Sequence, residues 1–168
     1  MRASVSKAPP NKSVDKNTGG MLNLTALQQT PGFMIRILQI QIFEEFFSYF
    51  SSLGISPAEH SSLIVIRDNP WATQSEIAGA LRIQLPNFVK ILLKLEADGL
   101  IKRRRSSKDK RAVELTLTAK GEGAARQASE MAKAFNRLTL SPLNESKQQQ
   151  FLQMLTQLVH AGAKSRSL

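Results

Sequence analysis

The chain has 168 residues, with 23 Lys plus Arg against 13 Asp plus Glu and a formal charge of +10. That length suits one domain with a tail, and a hydrophobic content of 42% is enough for a core. The absence of cysteine excludes a disulfide scaffold, a thiol nucleophile, a zinc ribbon and an iron–sulfur site, and no apolar run approaches the roughly 20 residues of a membrane span.

Residues 1–23 are rich in Ser, Pro, Lys, Asn and Gly and carry Arg2, Lys7, Lys12 and Lys16 against Asp15. They read as a flexible basic tail. The tail lacks an apolar h-region, so no secretory signal is expected and the location is read as cytoplasmic. Residues 24–52 follow as a helical segment. Thr30 is its expected N-cap and Pro31 its first helical position, with a helix running to about Ser52. Its apolar residues lie on several sides: Phe33, Ile37, Ile40, Phe43, Phe47 and Phe50, but also Met34, Leu38 and Phe46. Such a helix must be covered on several faces. In so small a chain that predicts a second subunit.

Residues 53–117 contain three further helices and a hairpin. Leu53-Gly54-Ile55 ends the first helix, and Ser56-Pro57-Ala58-Glu59 opens the next with a capping box. Asn69-Pro70 stops it. Thr73-Gln74-Ser75-Glu76 is a second capping box, opening a short helix to about Leu81. After Arg82-Ile83 a helix from about Leu85 to Asp98 places Phe88, Ile91, Leu92 and Leu95 at i, i+3, i+4 and i+7. Gly99 is its C-cap residue. Two strand-like runs, Leu100 to Arg105 and Ala112 to Leu117, flank the polar loop Ser106–Arg111. Residues 118–168 read as two helices, the first capped by Thr118 and the second opened by Ser141-Pro142. Phe151, Leu152, Leu155, Leu158 and Val159 form the narrow apolar stripe of a pairing helix.

The charge is not spread evenly. Residues 84–111 hold nine cations against Glu96, Asp98 and Asp109, so six of the ten net charges lie in 28 residues. The order of three helices followed by a basic hairpin is that of a winged helix-turn-helix, mainly α with a small β-wing. The segments 73–81 and 85–98, joined by a tight link, have helix-turn-helix spacing with the second helix as reader. Its core positions removed, that helix keeps Gln84, Pro86, Asn87, Lys90 and Lys94. Asn and Gln pair bidentately with adenine, and Lys with guanine.

Leu81 to Leu117 resembles the DNA-binding core of the MarR family of transcriptional regulators. The resemblance rests on Leu95-Glu96-Ala97-Asp98-Gly99-Leu100-Ile101, Arg103, Asp109-Lys110-Arg111 and Leu115-Thr116-Leu117-Thr118-Ala119-Lys120-Gly121, and the helical order extends it over about residues 24–160. It implies a homodimer joined through both chain ends, reading palindromic duplex DNA. It also implies that Arg111 enters the minor groove at the wing tip, oriented by an ion pair with Asp109. Arg103, Arg104, Arg105, Lys108 and Lys110 would mostly meet phosphates, adding affinity and salt dependence.

The run Thr30–Arg36 resembles the first-helix opening of members that answer to aromatic acids or their coenzyme A thioesters. This implies a small anionic effector. Arg36 is the only cation between residues 17 and 66 and lies in an otherwise apolar helix. A charge there needs a partner: an effector's carboxylate or phosphate, or Glu44, Glu45 or Glu59 across a subunit boundary. Phe33, Ile40, His60 and Trp71 complete the candidate ligand set. Their plainer readings are dimer core, interface histidine and hinge packing.

No enzyme, metal site or cofactor is expected. His60 and His160 have no metal-ligand spacing, and Ala161-Gly162-Ala163-Lys164-Ser165 lacks the glycine before the lysine of a phosphate loop. The sequence thus points to a ligand-responsive repressor released from its operator by the effector. The alternative of another class is a non-specific architectural DNA coater without an effector.

Overall fold

The computed structural model describes residues 22–107 and 109–164, so the predicted tail lies almost wholly outside the described residues. The chain divides into two compact units, one up to Leu38 and one from Gln39 onward. A single turn that the sequence pattern does not predict, α1 (Thr25–Gln28), precedes α2 (Pro31–Tyr49), whose residues up to Leu38 fall in the first unit and the rest in the second. Pro31 opens α2 as expected. The Thr30 hydroxyl, however, donates to the Leu27 carbonyl (2.7 Å) and so closes α1. The long helix ends at Tyr49, three residues earlier than its expected end, and a 3-10 turn, Ser51–Leu53, leads to Gly54 at φ 59°.

The second unit continues with α3 (Pro57–Asp68), α4 (Gln74–Ala80), α5 (Leu85–Ala97), β1 (Ile101–Arg105), β2 (Val113–Leu117), α6 (Ala119–Thr139) and α7 (Glu145–Lys164). The local signals act where the sequence places them. Ser56 and Glu59 close one capping box and Thr73 and Glu76 the other, each satisfying two helix-end amides that water would otherwise hold. Gly99 ends α5 at φ 69°, a left-handed conformation without penalty for glycine. Its neighbour's amide, that of Leu100, then reaches back to the Leu95 carbonyl at 2.8 Å. The start of α7 differs from expectation. Ser141-Pro142 lies in the preceding turn, and Asn144 caps the helix by accepting from the Lys147 amide at 3.0 Å.

The core of the winged portion gathers Leu63 and Ile66 of α3, Ile77 of α4, Phe88, Leu92 and Leu95 of α5, and Leu115 of β2. Burying each such side chain contributes about 1.5–3 kcal/mol. The expected apolar stripe of α5 is therefore the face that docks. β1 and β2 pair antiparallel, with Ile101 opposite Leu117 and Arg105 opposite Val113. A short third edge was not foreseen. The Trp71 amide donates to the Leu115 carbonyl (2.7 Å), the Leu115 amide donates to Ala72 (3.0 Å), and Thr73 bridges Glu114. This ties the α3–α4 corner to the wing.

A second cluster joins Phe46 of α2 and Phe50, just beyond its end, to Phe135 of α6. Phe46 and Phe50 stack at 3.9 Å, and Phe135 meets Phe46 edge-on at 5.7 Å.

Candidate nucleic-acid interface

The reader helix is held by its inner face, and this frees its outer one. Phe88, Leu92 and Leu95 are buried, whereas Gln84, Pro86, Asn87 and Lys90 are exposed. At the helix start Gln84 makes no side-chain cap bond, Pro86 has no amide to offer, and the Asn87 and Phe88 amides donate to the Gln84 carbonyl at 2.9 and 3.0 Å, so the Gln84 and Asn87 side chains are left to solvent. Leu85 is 39% exposed beside these polar residues. The link to α4 holds a further exposed cation, Arg82, at φ 53°.

The cations of residues 84–111 fall into two sets. One set is spent inside the chain. Lys94 Nζ pairs with Glu59 Oε1 at 2.7 Å and also donates to the Gly54 carbonyl at 3.3 Å. Burial works to raise the Glu59 pKa, but the Lys94 hydrogen bond, the Ser56 amide and the Lys94 charge outweigh it and leave it below the ordinary value. Arg103 pairs with Glu96 at 2.7 Å. Arg104 pairs with Glu114 at 2.9 Å, and its guanidinium lies 3.6 Å over the Trp71 ring. Lys94, expected on the outer face of the reader helix, and Arg103 and Arg104, expected to meet phosphates, thus each hold an ion pair within the chain that links the reader helix to α3, α5 to β1, or the two wing strands.

The other set faces solvent. Lys90, Lys102, Arg105, Lys110 and Arg111 are exposed, and none has an ion-pair partner among the described residues. Lys108 lies outside the described residues. The expected Asp109–Arg111 ion pair takes another form. Asp109 Oδ1 accepts from the Arg111 backbone amide at 2.9 Å, closing the wing turn and leaving the guanidinium free to point outward.

The candidate ligand residues are not all brought together. Phe33 and Arg36 belong to the unit ending at Leu38, and Ile40, His60 and Trp71 to the other. Arg36 is exposed rather than buried, and Glu59, one of its candidate partners, is taken by Lys94. His60 meets Phe46 at 5.7 Å and Phe50 at 5.5 Å, both edge-on, and its Nε2 is buried without a partner. Burial holds its pKa below the ordinary value, against a hydrogen bond to the Ala128 backbone. Trp71 lies beyond the C-terminal end of α3, whereas His60 is in that helix's first turn, with about 12 Å of helix axis between His60 and the last residue, Asp68. Trp71 lines an open cavity of about 540 Å³ with Val65, Glu76 and Ile77, and His60 is not part of that lining.

A helix pair with an exposed polar reader face, flanked by a basic hairpin, defines a winged helix-turn-helix DNA-binding protein. The comparisons agree. Residues 55–113 match the model of the MarR family. The HTH-type transcriptional regulator BilQ of Clostridium symbiosum (strain WAL-14163) is 37% identical over 122 residues, spanning 70% of this chain and 85% of that one. The transcriptional repressor CouR bound to a 23-mer DNA duplex superposes with a TM-score of 0.78 at 31% identity, covering 83% of this chain and 99% of that one. CouR bound to p-coumaroyl-CoA gives 0.75 at 30% identity, over 83% and 98%. The chain belongs to the MarR family: it is a DNA-binding transcriptional regulator and not an enzyme. Among the described residues no helix is long and apolar enough to cross a membrane.

Proposed function

We propose that this chain is a cytoplasmic, homodimeric repressor that binds palindromic operator DNA and is released by a small anionic effector, an aromatic acid or an acyl-CoA thioester. The observation that carries the DNA reading is the division of the cations. Lys94, Arg103 and Arg104 are ion-paired within the chain, while Lys90, Arg105, Lys110 and Arg111 are exposed with no ion-pair partner among the described residues, as are the polar Gln84 and Asn87 and the neighbouring Pro86. In this reading Gln84, Asn87 and Lys90 meet base edges in the major groove. Arg111, on a turn closed by Asp109, enters the minor groove, and Arg105, Lys108 and Lys110 meet phosphates.

Residues 53–117 would serve as the DNA-binding portion, with 24–52 and 118–168 joining the subunits. The exposed apolar residues support this: Phe43 and Phe47 at 42% and 55% on α2, and Leu152, Leu158 and Val159 at 53%, 63% and 60% on α7. Large side chains left bare in this number mark a surface meant to be covered. A two-fold dimer then reads two half-sites about one helical turn apart, ~10 bp.

The effector reading draws on CouR, whose solved complexes include p-coumaroyl-CoA. Arg36, exposed and without an ion-pair partner among the described residues, is the proposed counter-ion of the effector's acid group, with Phe33 and Ile40 as apolar neighbours in sequence. His60, with its unpartnered Nε2, is proposed separately as a polar contact. Thermal-shift screening with aromatic acids and their coenzyme A thioesters tests this, since a ligand of the native state raises the melting temperature by mass action. A hit should also displace DNA, and Arg36→Ala should blunt the release while sparing DNA binding. If no such compound binds and none displaces DNA, an architectural coater without an effector becomes the better reading.

A further inference from the structure

The wing of this chain is fastened at its base by a feature the DNA reading does not use. Trp71 has a left-handed backbone, φ 69°, a conformation that a bulky residue keeps only where its surroundings hold it. Its surroundings do so on three sides. The amide donates to the Leu115 carbonyl of β2, and the next residue's carbonyl accepts from the Leu115 amide. The ring of Trp71, a residue 42% exposed, lies under the Arg104 guanidinium of β1 at 3.6 Å. Arg104 is in turn anchored to Glu114, the residue directly opposite it in the hairpin, through Nε at 2.9 Å. Glu114 is only 8% exposed, so this carboxylate is a fixed point rather than a mobile surface group.

The geometry points to Arg104 as a positioning residue for DNA binding: stacked on Trp71 and hydrogen-bonded to Glu114, it sets the pose of the wing against the α3–α4 corner without itself meeting a phosphate. The chemistry requires arginine. A planar guanidinium lies flat on an indole and offers an edge to a carboxylate at the same time, and an ammonium cannot do both. The corner is the segment that leads into α4 and hence into the helix pair carrying the reader. Strand β1 leads to the loop that carries Lys110 and Arg111. The Trp71–Arg104 contact thus joins the two DNA-facing parts. Without it the wing samples poses in which Arg111 is misplaced, and affinity falls by the fraction of time spent there. This inference rests on the wing–DNA contact proposed above.

The test uses the full chain and a duplex selected by the wild-type protein from a random-sequence pool, with affinity measured across a salt series. Arg104→Lys keeps the charge and loses the stack. The positioning role predicts that Arg104→Lys and Arg104→Ala weaken binding alike, about three- to thirty-fold, with the salt slope unchanged in both. Trp71 is the sole tryptophan, so its emission reports the stack directly and should change in both variants. Wild-type affinity in Arg104→Lys, with a slope lowered by about one in Arg104→Ala, would make Arg104 a phosphate contact and overturn the proposal. Wild-type affinity in both would also overturn it. Arg111→Ala separates the two readings. If that variant binds as wild type, the wing–DNA contact itself fails. If it binds weakly while Arg104→Lys does not, only the positioning role fails.

Discussion

Gly121 is the residue at which one added methyl should cost most for its size. It is the third residue of α6, and its amide donates to the Thr118 hydroxyl at 3.0 Å. The same hydroxyl donates to the Gly99 carbonyl at 2.7 Å, and the Thr118 amide donates to Leu100 at 3.0 Å. The start of α6 therefore sits directly on the α5–β1 junction. A Cβ at Gly121 would overlap the Leu100 carbonyl oxygen and lie 2.9 Å from its carbon, against backbone that has no rotamer to yield. Overpacking of this kind costs about 1–3 kcal/mol, and displacing the cap adds about 1 kcal/mol. Alanine's better helix propensity returns at most about 1 kcal/mol. Gly123, two residues on, is the internal control, because nothing lies within 4 Å of its added Cβ. There the same substitution should be neutral or stabilising. Melting curves at one fixed protomer concentration should place Gly121→Ala below Gly123→Ala by about 3 kcal/mol, or about 6–12 °C for a chain of this size. Equal melting temperatures would refute the steric account of why the segment after β2 reads Leu-Thr-Ala-Lys-Gly.

Lys94→Ala should lower stability by about 1–2 kcal/mol in urea denaturation, more than an exposed pair because Glu59 is buried, and should leave the salt slope of DNA binding unchanged. Lys110→Ala should instead keep stability and lower that slope by about one. Arg111→Ala should weaken binding and reduce the preference for A·T-rich flanks in competition assays; an unchanged preference would remove its minor-groove role. His60, whose ring is packed by Phe46, Phe50 and the Ala128 backbone, titrates below its ordinary value when folded. The unfolded chain then binds the proton first, so stability should fall as pH drops below about 6.5. His60→Gln should flatten that fall in melts taken between pH 7 and pH 5.

What the sequence made legible was local. Ser56–Glu59, Thr73–Glu76, Gly99 and Thr118 each act through bonds to residues three or four positions away, and each closes its helix as read. The apolar spacing of α5 likewise determined which face docks. What was not legible depended on distant partners. Nothing near Lys94 in sequence announces Glu59, and Arg104 looks like its neighbours until Trp71, 33 positions away, comes beneath it. A run of cations shows that a surface is basic, but only the fold shows which members are already paired. The start of α7 failed for a smaller reason. Both Ser141-Pro142 and Asn144 are acceptable openings, and the turn closed by the Leu143 amide on the Leu140 carbonyl selects the later one.

The central claim is that two copies of this chain read a palindrome through paired reader helices and wings. Footprinting on the selected duplex, with the binding stoichiometry measured on the same DNA, tests it most directly. The account predicts one dimer per duplex, with two protected half-sites about one helical turn apart (~10 bp) and competition by random duplex only at large excess. Uniform protection along any duplex, with random DNA competing equally, would contradict it.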